Sequence, residues 1–277
     1  MRSLLGNTMK KLLVIFTLLA FQSFGQYHTA LSKSEIGVMI GGTSYIGDLN
    51  QFAPYKNIHL AGGLIYRYNV HSRLSFRANL LYGKLSADDA NSSLAINQQR
   101  NLNFSSTIYE FGAGVEFSYF PFQLGHDRYK GTMYVMAELA VFRMNPKTMY
   151  NGSEIELRNL GTEGQGTPLS TKSYYNLTQM SIPIGIGAKL SMGKRFGINF
   201  EIGIRKTFTD YIDDVGSNSY LDASELAAVS SPTTVALSNR SGNLYGQRGN
   251  AANKDWYLFG GMMLTVSLGE PGKCYSH

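Results

Sequence analysis

The sequence predicts an all-β fold: an eight-stranded antiparallel transmembrane (outer-membrane) β-barrel with short periplasmic turns and long extracellular loops. Three observations carry the prediction. An export signal opens the chain, apolar and polar residues alternate in eight separate segments, and the connections between those segments alternate between long and short. The composition agrees. Of 277 residues, 12% are aromatic, only 16% are charged and 30 are glycine, a balance too aromatic and too weakly charged for disorder.

The N-terminus is an address. From Met9, the basic pair Lys10 and Lys11 precedes an apolar run from Leu12 to Phe21, and small residues end at Gly25. That is the layout of a signal peptide over residues 1–25, cleaved near Gly25 and Gln26. The apolar run is shorter than the roughly 20 residues a membrane helix needs. No cysteine stands at the junction, so a lipid anchor is not expected. The mature chain divides into a barrel, residues 26–268, and a short periplasmic tail, residues 269–277.

The predicted strands are, in order, Glu35–Tyr45, His59–Tyr68, Leu74–Leu85, Tyr109–Tyr119, Met133–Arg143, Met180–Leu190, Arg195–Arg205 and Trp256–Leu268. The fourth shows the pattern most plainly. Tyr109, Phe111, Ala113, Val115, Phe117 and Tyr119 share one face; Glu110, Gly112, Gly114, Glu116 and Ser118 share the other. A soluble β-sandwich would turn its polar face to water and line it with Lys, Thr and Ser. Here that face carries glycine with isolated carboxylates and arginines, as the crowded inside of a narrow barrel demands. Aromatic residues near segment ends (Tyr45, Tyr66, Tyr68, Tyr82, Tyr109, Tyr119, Phe120, Phe122, Phe142 and Trp256) supply the two interfacial girdles.

Connection lengths give independent support. About a dozen residues at 47–58 precede the short 69–73, and about twenty at 86–105 precede 121–132. About 36 at 144–179 precede the short 192–194, and some fifty follow at 206–255. An even strand number then leaves both chain ends in the periplasm.

With the polar faces inward, the lumen holds Glu35, Glu110, Glu116, Glu138 and Glu201 with Arg67, Arg77, Lys189 and Arg205. Five acids nearly balance four bases, which predicts a salt-bridged plug; a gated proton or ion path is the sharper alternative. A general porin would need more strands.

Other function classes find little support. The formal charge of +6 falls to +3 once Arg2, Lys10 and Lys11 leave with the signal, and no concentrated basic patch invites nucleic acid. The single cysteine, Cys274, excludes an internal disulfide framework and a multi-cysteine metal site. The histidines are scattered, and the 210–214 run DYIDD lacks the spacing and glycine of a calcium loop. No catalytic, cofactor-binding or metal residue is assigned, and a non-enzymatic role is expected. The periplasmic turns and tail carry Arg73, Arg128, Lys130, Lys194, Arg195 and Lys273 against Asp127 and Glu270. Anionic outer-membrane lipids or an acidic periplasmic partner would each suit that surface. Cys274 is open to an intermolecular disulfide, a free reactive thiol or an inert one.

Two stretches, EIGVMIGGTSYIGDLN at 35–50 and GIRKTFTDYIDDVGSNSYLD at 203–222, resemble signature segments of the PorG family, small outer-membrane barrels of the type IX secretion system. The Y-x-GDL element falls on Tyr45, Gly47, Asp48 and Leu49. The TFTDYIDDV element falls on Thr207–Val215, including Asp210, Tyr211, Asp213 and Asp214, with Tyr220 and Asp222 after it. Gly216 departs from the pattern, where a serine is expected. The resemblance implies a secretion-machinery component that anchors or positions a periplasmic ring of PorK-type lipoproteins and PorN-type subunits without conducting cargo itself. It also implies that Cys274 is placed to pair with a lipoprotein cysteine, and that the motif aspartates organise loops at the outer rim. The alternative is a stand-alone small barrel whose extracellular loops bind a ligand or surface polymer.

Overall fold

The computed structural model describes residues 34–268, except Phe52, Pro54 and residues 243–245. The expected signal peptide and the tail with Cys274 lie outside the described residues. Among the described residues there are ten strands: β1 (Ser34–Ile46), β2 (His59–His71), β3 (Leu74–Asp88), β4 (Asn103–Ser118), β5 (Gly131–Arg143), β6 (Pro146–Tyr150), β7 (Ser153–Glu156), β8 (Thr178–Met192), β9 (Phe196–Thr207) and β10 (Trp256–Ser267). Eight of them form an antiparallel sheet in the order β1, β2, β3, β4, β5, β8, β9, β10, and β10 pairs with β1 to close the barrel.

The register fixes the barrel's shape. Partners followed from Ser44 through Leu258, Ile204, Ile184, Ala137, Val115, Phe76 and Tyr68 lead back to Ser34, ten residues lower on β1. Eight strands with that stagger make a narrow, strongly tilted barrel whose inside is filled by side chains. Glycine permits the tightest approach. A Cβ on inward-facing Gly41 would stand 2.2 Å from the Gly260 carbonyl oxygen, and one on its partner Gly261 2.4 Å from that of Ile40.

The outward surface is an apolar belt. Val38, Leu64, Phe76, Phe111, Val135, Ile184, Phe200 and Leu264, one on each barrel strand, are all 47–55% exposed. Ten residues at about 3.3 Å rise, tilted by about 40°, span roughly 25 Å, the height of a membrane barrel's apolar band. A continuous exposed belt of this kind is the surface of an outer-membrane-type barrel.

The structure departs from the sequence reading in three respects. Strands β3 and β4 continue past the predicted ends, to Asp88 and from Asn103, so their loop is shorter than expected. The longer connections are structured: the β6–β7 hairpin lies in one, and short helices α1 (Ala95–Arg100), α2 (Ala223–Val229) and α3 (Pro232–Ser238) in others. Helices of six or seven residues are too short to show a 3.6-residue stripe. Finally, Tyr45, Phe122 and Phe142, expected in the girdles, are buried inside. Tyr45 and Phe142 share the inward parity of Thr43 and Glu138, and near the long loops the barrel interior turns from charged to apolar.

Candidate functional site

All nine predicted lumen residues are buried inside the barrel. Their spacing along strands explains the arrangement, because inward positions recur every second residue. Arg77 on β3 is the hub. Its Nε lies 2.6 Å from Glu138 Oε1, and its Nη1 2.6 Å from Glu201 Oε2 and 3.3 Å from Glu116 Oε2. Arg67 Nε donates to Glu116 at 2.9 Å, with Glu35 3.6 Å from its Nη1, and Lys189 also pairs with Glu116. Arg205 stands 3.6 Å from Glu110, which accepts from the Tyr257 hydroxyl. The Tyr134 hydroxyl donates to Glu201, and the Asn79 amide to Glu138. A buried charge is tolerable only when paired, and each of the nine lies in this network.

At the short-turn end, the 119–130 connection turns inward. Phe122 and Leu124 are buried, and Phe122 N donates to Ser72 O at 2.8 Å. The Lys189 ammonium stands 5.3 Å from the centre of the Phe122 ring. Gly125, at φ +83°, donates to Ser191 Oγ; a Cβ there would meet Lys194 O at 2.2 Å. The predicted cations Arg73, Arg128, Lys130, Lys194 and Arg195 are all exposed at this end, and none pairs with a carboxylate among the described residues.

The long-loop end is closed by the 208–255 connection. Ile212, Val215 and Leu237 pack against Leu85, Phe104, Ile108, Phe142 and Tyr257 from the barrel strands. The residues of the two stretches that resemble the PorG family sit beneath and beside this cap. Tyr45, Asp48, Asp210, Asp213 and Asp214 are buried, and Tyr211 is half-buried. The Tyr45 hydroxyl contacts Asp213 Oδ2 and Asp255 Oδ1, and a Cβ on Gly47 would collide with both that hydroxyl and Asp255. Asp214, at φ +68°, adopts a left-handed conformation that aspartate tolerates. The two neighbouring carboxylates thereby reach different partners: Asp214 accepts from Thr162 and Tyr175, while Asp213 accepts from Tyr45 and from Val215 N.

Burial sets the electrostatics of this cap. It raises Asp213 and Asp255 well above the usual carboxylate range, and neighbouring carboxylates add to the effect. Burial also pushes Asp214 up to about 6 against the pull of Arg248, and Asp210 to about 6 against Lys254. Glu163 also loses hydration, but Arg248, Ser217 and Gly216 N outweigh that loss and lower it.

The residues that tie the cap down escaped the sequence reading. Arg248 Nη1 lies 2.5 Å from Glu163 Oε1, and its other donors reach Thr162, Asp214 O and Ser238 O. Arg100 grips Asp89 with two 2.7 Å bonds and donates to Arg248 O and Asp48 O, joining three loops. The available signal was the density of acids at 210–214, which demanded buried cations from somewhere in the loops. Gly216, where the PorG resemblance leads one to expect serine, has a local reason: a Cβ there would meet the Tyr211 ring at 2.5 Å.

Comparison with known proteins adds a family and a set of similar shapes. A family model described as a domain of unknown function (DUF6089) matches residues 9–229. No curated protein matches the chain. In structure the chain is similar to Neisserial surface protein A (NspA), at 8% identity and a TM-score of 0.44, over 85% of this chain and 97% of that one. It is also similar to Ail, the attachment invasion locus protein of Yersinia pestis, at 9% identity and 0.39, over 84% and 96%. The N-terminal β-barrel domain of Pseudomonas aeruginosa OprF is similar at 9% identity and 0.36, over 84% and 96%.

Proposed function

We propose that this chain, which belongs to the DUF6089 family, is a non-enzymatic outer-membrane barrel that anchors or positions a periplasmic assembly. The apolar belt supports the membrane placement, with the long loops outside and the short turns in the periplasm. The observation that carries the anchoring role is the short-turn end. It presents five exposed cations, Arg73, Arg128, Lys130, Lys194 and Arg195, without carboxylate partners among the described residues, on a barrel whose interior is filled. A filled barrel offers no route for folded cargo, and unpaired charge at one end suits docking onto an acidic partner.

The resemblance of residues 35–50 and 203–222 to the PorG family makes that partner a type IX secretion ring of PorK-type lipoproteins and PorN-type subunits. Cys274 then serves as a covalent link to the lipoprotein. A non-reducing gel of native outer membranes, beside a Cys274→Ser strain, tests the link. A larger thiol-sensitive band that vanishes in the variant is expected, with mass spectrometry naming the partner. Monomer in both strains removes the disulfide and leaves the turns to carry the anchor alone.

One observation favours the second reading, a stand-alone barrel that binds a ligand or surface polymer through its loops. A cleft of about 290 Å³ opens among Ile46, Gly47, Asp48, Gln51, Asn253, Lys254, Asp255 and Trp256, combining an aromatic ring with polar side chains.

A further inference from the structure

Among the described residues, three outward-facing cations on barrel strands break the apolar surface at its upper margin: Lys84 on β3, Arg143 on β5 and Lys206 on β9. Each alternates with buried neighbours, so each projects away from the barrel. None forms an ion pair with a carboxylate among the described residues, whereas Lys147, higher on β6, is paired with Glu154.

The register puts the three cations at one level. A ten-residue stagger over eight strands shifts a given height by roughly 1.25 residues per strand. With that correction Lys206, Arg143 and Lys84 lie within about two residues of one another in height. They are two strands apart in turn, β9 to β5 to β3, or roughly a quarter of the circumference each. Aromatic residues mark the same level. The Lys206 ammonium is 5.7 Å from the Trp256 ring, Arg143 pairs across the ladder with Tyr109, and Tyr109 packs on Tyr82. The cleft beside Ile46, Gln51, Asn253 and Trp256 opens at this margin too.

The geometry points to a phosphate-binding half-ring: Lys84, Arg143 and Lys206 hold the phosphate groups of glycolipid headgroups in the leaflet on the long-loop side. The inference rests on the outer-membrane reading. Cations on long flexible stems at the edge of hydrocarbon lie along apolar surface and deliver their charge to the headgroup layer. Phosphate there supplies the counter-charge that the barrel does not, and the neighbouring aromatic rings fix the depth. The five cations at the opposite end differ in kind, since they sit on turns beyond the strands.

The test uses the full chain in a neutral detergent and the fluorescence of Trp256, the chain's single tryptophan. Diphosphorylated lipid A and its dephosphorylated form are titrated separately, and midpoints are compared, not amplitudes. Lipid A is expected to bind at least tenfold more tightly than the dephosphorylated form. The K84Q/R143Q/K206Q variant is expected to lose at least tenfold in lipid A affinity, at about fivefold per cation, while K147Q, whose lysine is already paired with Glu154, keeps the wild-type midpoint. Where the triple variant fails to fold, K206Q alone must show a severalfold weakening. Equal midpoints for the two lipids, or for wild type and variant, overturn the half-ring. Insertion into phosphatidylcholine vesicles is measured in parallel. A chain that does not insert sinks the membrane reading itself, and one that inserts without discriminating the lipids sinks the half-ring alone.

Discussion

The Tyr45 hydroxyl lies 2.6 Å from Asp213 Oδ2, joining the last turn of strand β1 to a loop 168 residues later. The same oxygen lies 2.7 Å from Asp255 Oδ1. A phenol has a single hydrogen to donate, so two short contacts to carboxyl oxygens require a second proton, held on one of the two aspartates. Arg100, Asp48 and Asp210 are the other charged groups that face this pair. The contact is therefore a proton-dependent latch between the barrel and the cap formed by residues 208–255.

The latch sets a pH dependence with a definite sign. Asp210 and Asp214 titrate at about 6 in the folded cap, and Asp213 and Asp255 are also raised, whereas an unfolded aspartate titrates near roughly 3.9. The folded cap thus binds more protons than the unfolded one, and its stability falls as pH rises from about 4 through these values. Hydrogen-exchange protection of residues 208–255, corrected for intrinsic rates, should be higher at pH 5 than at pH 7.5. Asp213→Asn mimics the protonated carboxyl and should reduce that dependence, leaving the share of Asp210, Asp214 and Asp255, while Asp213→Ala should lower cap stability by about 1–3 kcal/mol. Protection that increases with pH in the wild type would refute the latch.

Arg248→Met leaves Glu163 buried without its 2.5 Å partner. Removing one member of a buried ion pair costs about 3–5 kcal/mol. The expected outcome is a cap open to limited proteolysis on a barrel that keeps its heat-modifiable gel mobility. Loss of both would mean that the cap and barrel fold as one cooperative unit.

In the lumen, Arg77→Met strips three carboxylates of their shared partner. A loss of about 3–5 kcal/mol in barrel stability is expected, read as a lower thermal unfolding midpoint in detergent. Lys147→Ala removes an exposed pair with Glu154 and should leave the midpoint unchanged.

The filled interior predicts electrical silence. Reconstituted in a planar bilayer, the wild-type chain should show no steady conductance step. Cutting back the inward-turned Phe122 and Leu124 to glycine should not open one either, because the Arg77 network lies beyond them. A steady open pore in the wild type would favour the ion-path alternative.

The barrel was legible because its signal is redundant. Alternation along each strand, as from Tyr109 to Ser118, sets inside against outside, and eight repetitions with matching loop lengths leave little freedom. The nine lumen charges followed from parity alone. Tyr45 and Phe142 were assigned to the wrong face because an aromatic at a strand end fits a girdle and an apolar plug equally well; only the packing of Ile212, Val215 and Leu237 decides. The cap's ties were illegible for another reason. Arg100, Glu163 and Arg248 are brought together across 148 residues by loops with no periodicity to read.

On the function proposed here, the short-turn end of a closed barrel faces a periplasmic protein. A photo-crosslinking residue at Lys194 and, in a second strain, at exposed Tyr55 on the opposite end puts that contact to the test. A discrete protein adduct containing a periplasmic lipoprotein is expected from position 194 in living cells, and none of that protein from position 55. An adduct of an extracellular partner at 55, with only lipid at 194, would contradict it and favour the stand-alone barrel.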